Sequence, residues 1–434
     1  PLLTDKIEGK RKKLEALYKD ASGMRDSAPS QALAEGFDTY RSLNVASKLG
    51  GAVLTSITDQ GVLSLTAHMN KMPIAKALAN EMRMLNPLDA GDRRAAQRAG
   101  LGINQMLGTL HRFNADGLGG QLAVSSSVAK YSQAIASKVL GLSGMNAWTA
   151  ASQRGFAVTM LDTIGDMTRR HESLYAMDQH DAKRLRGAGI TDTDWSIWRM
   201  ATPEDWRGVG DTVLTGDAIY KISDESLAAL ALETGQTPQQ LRDRAATMLL
   251  GHVLDETSMA IIEPGARERV LMHSGVQRGT WKGEITRSFW QFKSFSVSML
   301  SRHWQRGMAQ ETLGGRVGYQ AAMIGITTAL GAMAVQMSDV ASGKDPRDMT
   351  EKKFWLAAFL KGGALGLYGD FAFGDQTSYG SSALAALGGP IASDFEATIK
   401  IGQEMRNAAA EGRPPEAGAQ TVKFLKGHLP AANL

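Results

Sequence analysis

Apolar positions along this chain recur mostly at three- and four-residue spacing, a period that predicts helices from end to end. Residues 1–40 open with a charged helix, with Leu14, Leu17 and Tyr18 on one side and Lys10, Arg11, Lys12 and Lys13 on the other. From Leu43 to Met69 the residues turn small and weakly charged, which suits a buried helix or helix pair. Residues 72–112 alternate charged and apolar positions around an Asn86-Pro87 break. Three helix starts have good capping chemistry: Thr202-Pro-Glu-Asp, Ser223-Asp-Glu and Thr237-Pro-Gln-Gln. Gly187-Ala-Gly and Glu263-Pro-Gly read as turns between helices. No stretch alternates at period two for long enough to build a sheet. The expected fold is all-α: an elongated multi-helix assembly with Gly/Ala-rich apolar helices in its C-terminal third. Its expected divisions are 1–40, 41–200, 201–277, 278–315, 316–400 and a polar tail at 401–434.

Two segments of the last third stand apart. Residues 278–315 read as a basic amphipathic helix. Ile285, Phe289, Phe292, Ser296, Met299, Leu300 and Trp304 fall near one face, while Arg278, Lys282, Arg287, Lys293, Arg302 and Arg306 stand against Glu284 alone. Basic residues interleaved with aromatics suit an anionic membrane surface or a phosphate backbone. They equally suit a core-facing helix with a solvated basic face. From Val317 to Ser338, 22 residues then carry no charge, bracketed by Arg316 and Asp339. That length spans a bilayer as a helix, although the Ala, Gly and Thr content also fits a buried helix of a soluble assembly. The residues expected to meet a membrane are Val317, Gly318, Ile324, Gly325, Ile326, Leu330 and Gly331. Trp355 and Phe359, in a second apolar run at Phe354–Phe373, join them. A third run, Tyr379–Ala392, is rich in Gly, Ala and Ser.

Composition sharpens this picture mainly by exclusion. Hydrophobic residues make up 43% of the chain and aromatics 6%, so Ala, Leu and Met supply most of the apolar surface and favour helix over sheet. A net charge of +4 is too small to mark a nucleic-acid coat, and any such role rests on local clusters. With no cysteine there are no disulfides, no thiolate catalysis and no cysteine-ligated metals. Phosphate-loop, nucleophile-elbow and zinc-protease signatures are all missing. His171 and His180 are the nearest histidine pair, and nine residues do not place two ligands on one helix face. No metal or cofactor is expected. The one catalytic candidate is Glu172, whose Glu172-Ser173 pair matches the general-acid dipeptide of lytic transglycosylases. Those enzymes continue with a Gly-x-Met-Gln segment, where this chain has Leu174-Tyr-Ala-Met-Asp-Gln, so a non-enzymatic protein is the expectation. Pro1–Lys13 lacks a signal-peptide pattern and an initiator Met, which fits a processed chain or an excerpt of a longer one.

Several stretches together resemble one family. Val45-Ala-Ser-Lys-Leu-Gly-Gly-Ala-Val-Leu-Thr-Ser-Ile-Thr-Asp59 and Ala150-Ala-Ser-Gln-Arg-Gly-Phe156 look like segments of very large virion-associated proteins of tailed bacteriophages. So does the succession Glu263-Pro-Gly-Ala-Arg-Glu-Arg269, Gly279-Thr-Trp-Lys-Gly-Glu284 and Phe289-Trp-Gln-Phe-Lys-Ser-Phe295, set upstream of a Gly/Ala-rich apolar region. The resemblance covers roughly residues 40–400. It implies an internal virion, or ejection, protein of a short-tailed phage, packed near the portal and delivered with or before the genome. The implied partners are further copies of itself, the portal or other virion proteins, DNA, and the host membrane after ejection. The implied locations are the virion interior and then the host envelope. A DNA-contacting structural role in the virion is the alternative, followed by peptidoglycan cleavage at Glu172.

Overall fold

The computed structural model describes residues 2–21, 28–48, 59–85, 145–262 except 207 and 209, 266–273, 276–290, 294–310, 312–341 and 345–359. Isolated positions at 131, 134 and 138 and within 399–410 complete that set. Among the described residues every regular element is helical, so the fold is all-α. The chain begins with α1 (Leu2–Ala21), α2 (Gln31–Lys48), α3 (Asp59–Met69), α4 (Ile74–Leu85) and α5 (Met145–Arg170). A 3-10 turn at Leu174–Ala176 leads to α6 (Gln179–Gly187), α7 (Asp192–Met200), α8 (Gly216–Tyr220), α9 (Asp224–Thr234) and α10 (Pro238–Ala260). The last third holds α11 (Ala266–His273), α12 (Trp281–Trp290), α13 (Ser294–Met308), α14 (Leu313–Ala341) and α15 (Lys352–Phe359). The expected runs at Tyr379–Ala392 and beyond Phe359, the Glu263-Pro-Gly turn and the tail after 410 lie outside the described residues.

These helices pack into two units that alternate along the chain. One comprises 1–61, 108–146 and 262–434; the other comprises 62–107 and 147–261. The expected boundaries do not follow this division. Helix α2 runs through the one drawn at 40, and α14 runs through the one drawn at 315. The single charged helix expected at the start is two helices, because Pro29 and the Ser30 hydroxyl, which accepts the Leu33 N–H at 3.3 Å, set a new helix start.

The unit built from 62–107 and 147–261 has one contiguous apolar core. Phe156, Met160, Leu161 and Ile164 of α5 meet Trp195 and Trp198 of α7 and Leu241, Leu249 and Val253 of α10. Both indoles are buried yet satisfied. Trp195 donates to the His171 carbonyl at 3.2 Å and Trp198 to the Ala245 carbonyl at 2.9 Å. Helix ends are fixed by chemistry visible in the sequence: Thr237 and Gln240 form a capping box at α10, and Ser223 caps α9. The start expected at Thr202-Pro fails. The Asp205 carboxylate instead accepts the N–H groups of Gly210 (2.8 Å) and Asp211 (3.2 Å), and Glu204 bridges Val213 through paired backbone hydrogen bonds. Gly208 and Gly210 take positive φ within this loop, a conformation glycine adopts without strain.

The other unit is held differently. Helix α1 packs on α11, α2 on α12, α11 on α12 and α13, α13 on α14, and α14 on α15. A small apolar cluster joins Ala332 and Val335 of α14 to Phe354, Ala357 and Ala358 of α15. The α2–α12 contact is polar and closed to water. Arg41 reaches Asp38 on its own helix, Glu284 at 2.8 Å and the Ser288 hydroxyl at 3.3 Å, and Arg278 pairs with the second oxygen of Asp38. All four charged side chains are at most 2% exposed. Glu284 further accepts the Gly279 N–H at 2.7 Å, which pins the turn before α12. Two acids and two guanidiniums thus cancel inside the unit, and removing any one would strand a buried charge.

Candidate functional site

Helix α14 is the feature that most constrains function. It is 29 residues long, uncharged between Arg316 and Asp339, and the described chain has no other helix long and apolar enough to cross a bilayer. Only 33% of the most apolar 18-residue window within Leu313–Met337 is buried, unlike an ordinary core helix. Of the expected membrane residues, Val317, Gly318, Ile324 and Gly325 are exposed, as is Trp355 on α15. Ile326 and Leu330 are half-buried and face Gly61, where a β-carbon would press on both side chains. Gly331 is buried, and Phe359 is half-buried. The structure thus splits the expected set between an open face and a packed one. On the packed face Thr327 turns its hydroxyl back to the Met323 carbonyl at 2.7 Å, hiding its polarity within the helix. At the joint with α13, buried His303 and Tyr319 share a 2.6 Å hydrogen bond through Nδ1 and the phenol oxygen.

The basic amphipathic segment is corrected most. The stretch contains α12 and α13, and α12 buries Gly283, Glu284, Arg287 and Ser288 while Trp281 and Ile285 stay exposed. Its inward face is polar, because α2 offers Asp38 and Arg41 in place of apolar partners. Arg278 and Arg287 are therefore interior residues and cannot line a nucleic-acid path. Arg302 faces Glu268 of α11 at 3.5 Å, and Arg306 is half-buried. Lys282 remains exposed, and Lys293 lies outside the described residues. On α13 Met299 is buried, whereas Trp304, near the same expected apolar face, is 56% exposed.

Glu172 is exposed. Ser173 is spent as the cap of the 3-10 turn, accepting the Ala176 N–H, and the Glu172 carbonyl accepts Arg199 at 3.1 Å. The structure places His180 with Asp178 and Asp181. Those three offer ligand atoms within 4.8 Å of one another. The Lys71 ammonium already pairs with both carboxylates, with Asp181 at 2.7 Å, so the cluster is an ion-pair clasp between the end of α3 and the start of α6. Lys71 holds this position with φ 53°, the one non-glycine at positive φ among the described residues. Adjacent to it, Asn70 donates to Glu256 at 2.6 Å and receives Arg184.

The Lys71 ammonium, with the Asp181 N–H, holds the Asp178 carboxyl far below the usual carboxylate range. A depressed folded value means that the pair stabilises fully above about pH 4 and fades as acid is added below it. Asp178 is about half exposed, so the contribution is about 1 kcal/mol or less. Asp178→Asn keeps the helix cap and removes the charge. It should flatten the acid limb of the stability curve between about pH 4 and 2 while leaving stability at pH 7 only slightly reduced. An unchanged acid limb in urea titrations would show that the clasp carries no linkage.

Compared with protein-family models, with curated proteins and with solved structures, the chain finds no match in any of the three.

Proposed function

We propose that this chain is a structural internal virion protein of a tailed bacteriophage, packed near the portal and helping to carry the genome across the host envelope. The observation that carries this reading is α14, a helix with a bilayer-length uncharged run and an open apolar face beside its packed one. The phage resemblance of the flanking segments supports it. So does the rest of the chemistry. An ejected protein passes a narrow channel and refolds beyond it, and a cysteine-free chain carries no covalent knot to block passage. Helical contacts, largely local, refold quickly. The DNA-contacting alternative loses its main support with Arg278 and Arg287 in the interior.

Dye release from anionic vesicles tests the membrane limb. The wild-type chain should permeabilise them. Ala321→Asp with Gly325→Asp, at two exposed positions, should cut release by more than about tenfold, since each carboxylate costs about 2.5–3.5 kcal/mol at mid-bilayer. If the double variant releases dye as well as wild type, or if neither does, α14 has no role in lipid.

A further inference from the structure

We infer that α14 is also a self-association helix, whose open ridge receives the same ridge of a second copy of this chain. Leu313, Val317, Ala321, Gly325, Ala329, Met333 and Met337 lie four residues apart and are all exposed. They form a single i±4 row, the row that interdigitates in the commonest packing of two helices. Its side chains are symmetric in size about Gly325. Alanine stands on each side, then Val317 balances Met333 and Leu313 balances Met337. A two-fold axis through Gly325 therefore sets small residues together at the crossing and bulky ones where the two axes diverge, with the copies parallel or antiparallel. Nothing lies within 4 Å of a β-carbon built at Gly325, so a second backbone can approach there closely.

The area fits the same occupant. Leu313 is 76% exposed, Val317 61%, Met333 52% and Met337 40%, with Ile324 (45%) and Val340 (58%) flanking the row. That leaves on the order of 600 Å² of apolar surface, at the upper limit of a monomer's ordinary patch and close to the roughly 800 Å² per partner of a stable pair. No charge lies between Arg316 and Asp339 to oppose the contact. The inference deepens the reading of α14 proposed above by naming its protein partner, and it rests on the open ridge rather than on a virion role.

The cysteine-free chain allows a clean test by single cysteines. The full-length protein, in neutral detergent and in vesicles, would carry Gly325→Cys on the ridge or Lys353→Cys on the exposed side of α15. Oxidation should trap Gly325→Cys as a dimer about tenfold faster than Lys353→Cys, as a held pair raises the local concentration. Adding Ala321→Leu to Gly325→Cys should return the rate to the Lys353→Cys level while the circular dichroism stays unchanged. Equal rates at the two positions, or no effect of Ala321→Leu, would overturn the pairing. Dye release is followed in parallel to separate the two ideas. Release without ridge cross-linking overturns self-association and leaves lipid as the occupant; ridge cross-linking without release supports self-association and removes the lipid role.

Discussion

Replacing Arg41 by methionine is expected to lower the stability of its unit by about 3–5 kcal/mol, the scale for breaking a buried ion pair from one side. Arg41 is fully buried and holds Asp38, Glu284 and Ser288 together. Without it, Glu284 keeps only the Gly279 N–H among these contacts, and Asp38 keeps only Arg278. Methionine fills much of the space, so the loss reports the stranded carboxylates rather than a cavity. Removing both partners, Arg41→Met with Glu284→Met, should recover more than half of the loss, because an apolar pair carries no desolvation cost. Lys282→Met, at an exposed site of the same helix, is the control and should change stability by less than about 0.5 kcal/mol. Urea unfolding followed by tryptophan fluorescence reads the effect, since Trp281 and Trp290 sit on α12. A loss under about 1 kcal/mol for Arg41→Met would mean that the polar seam does not hold α2 on α12.

Gly165→Ala should be the most damaging small change in the other unit. Gly165 lies inside α5, where alanine normally favours the helix by about 1 kcal/mol. Here a β-carbon would fall on the Thr212 carbonyl oxygen, and that segment cannot retreat easily. The Leu214 N–H donates to the Leu161 carbonyl at 3.2 Å, and the Thr212 N–H donates to Asp162 at 2.8 Å. Lys76 binds Asp162 at 2.7 Å and Asp211 at 3.1 Å, tying the same loop to α4. Overpacking against fixed backbone costs about 1–3 kcal/mol or more. Gly251→Ala, in α10 with nothing near its β-carbon, should instead stabilise by about 0.5–1 kcal/mol. Opposite signs at two helical glycines would be read directly from thermal midpoints. A stabilising Gly165→Ala would show that the 212–214 segment is free to move.

The helices and several of their ends were legible because capping and period are local. Thr237 with Gln240, Ser223 and the uncharged run of α14 all act within a few residues of themselves. The Thr202-Pro start failed for a reason that is nearly as local, since Asp205 can serve a loop as readily as a helix. What one sequence could not disclose is which face of a helix finds a partner. Ile285 and Trp304 fall near one expected apolar face, yet α12 turns Glu284, Arg287 and Ser288 inward because a distant helix supplies Asp38 and Arg41. Likewise, Lys71 meets Asp178 from 107 residues away, a pairing no spacing rule anticipates. The open ridge of α14 had a sequence signature all along: small residues at 321, 325 and 329.

The polar seam also sets an order of events. Arg41 meets Ser288 across 247 residues of sequence, and Asp38 meets Arg278 across 240. A chain emerging N-terminus first, from a ribosome or through a narrow channel, displays α2 long before its partners arrive. In that interval the unit at 62–107 and 147–261 can condense on its own apolar core. The waiting face of α2 carries Glu35, Asp38, Arg41, Ser42 and Asn44, all buried in the finished fold and all well hydrated before it. An apolar seam of the same length would be a sticky surface over that delay. Charge makes the unfinished half patient: soluble while alone, and committed once α12 arrives.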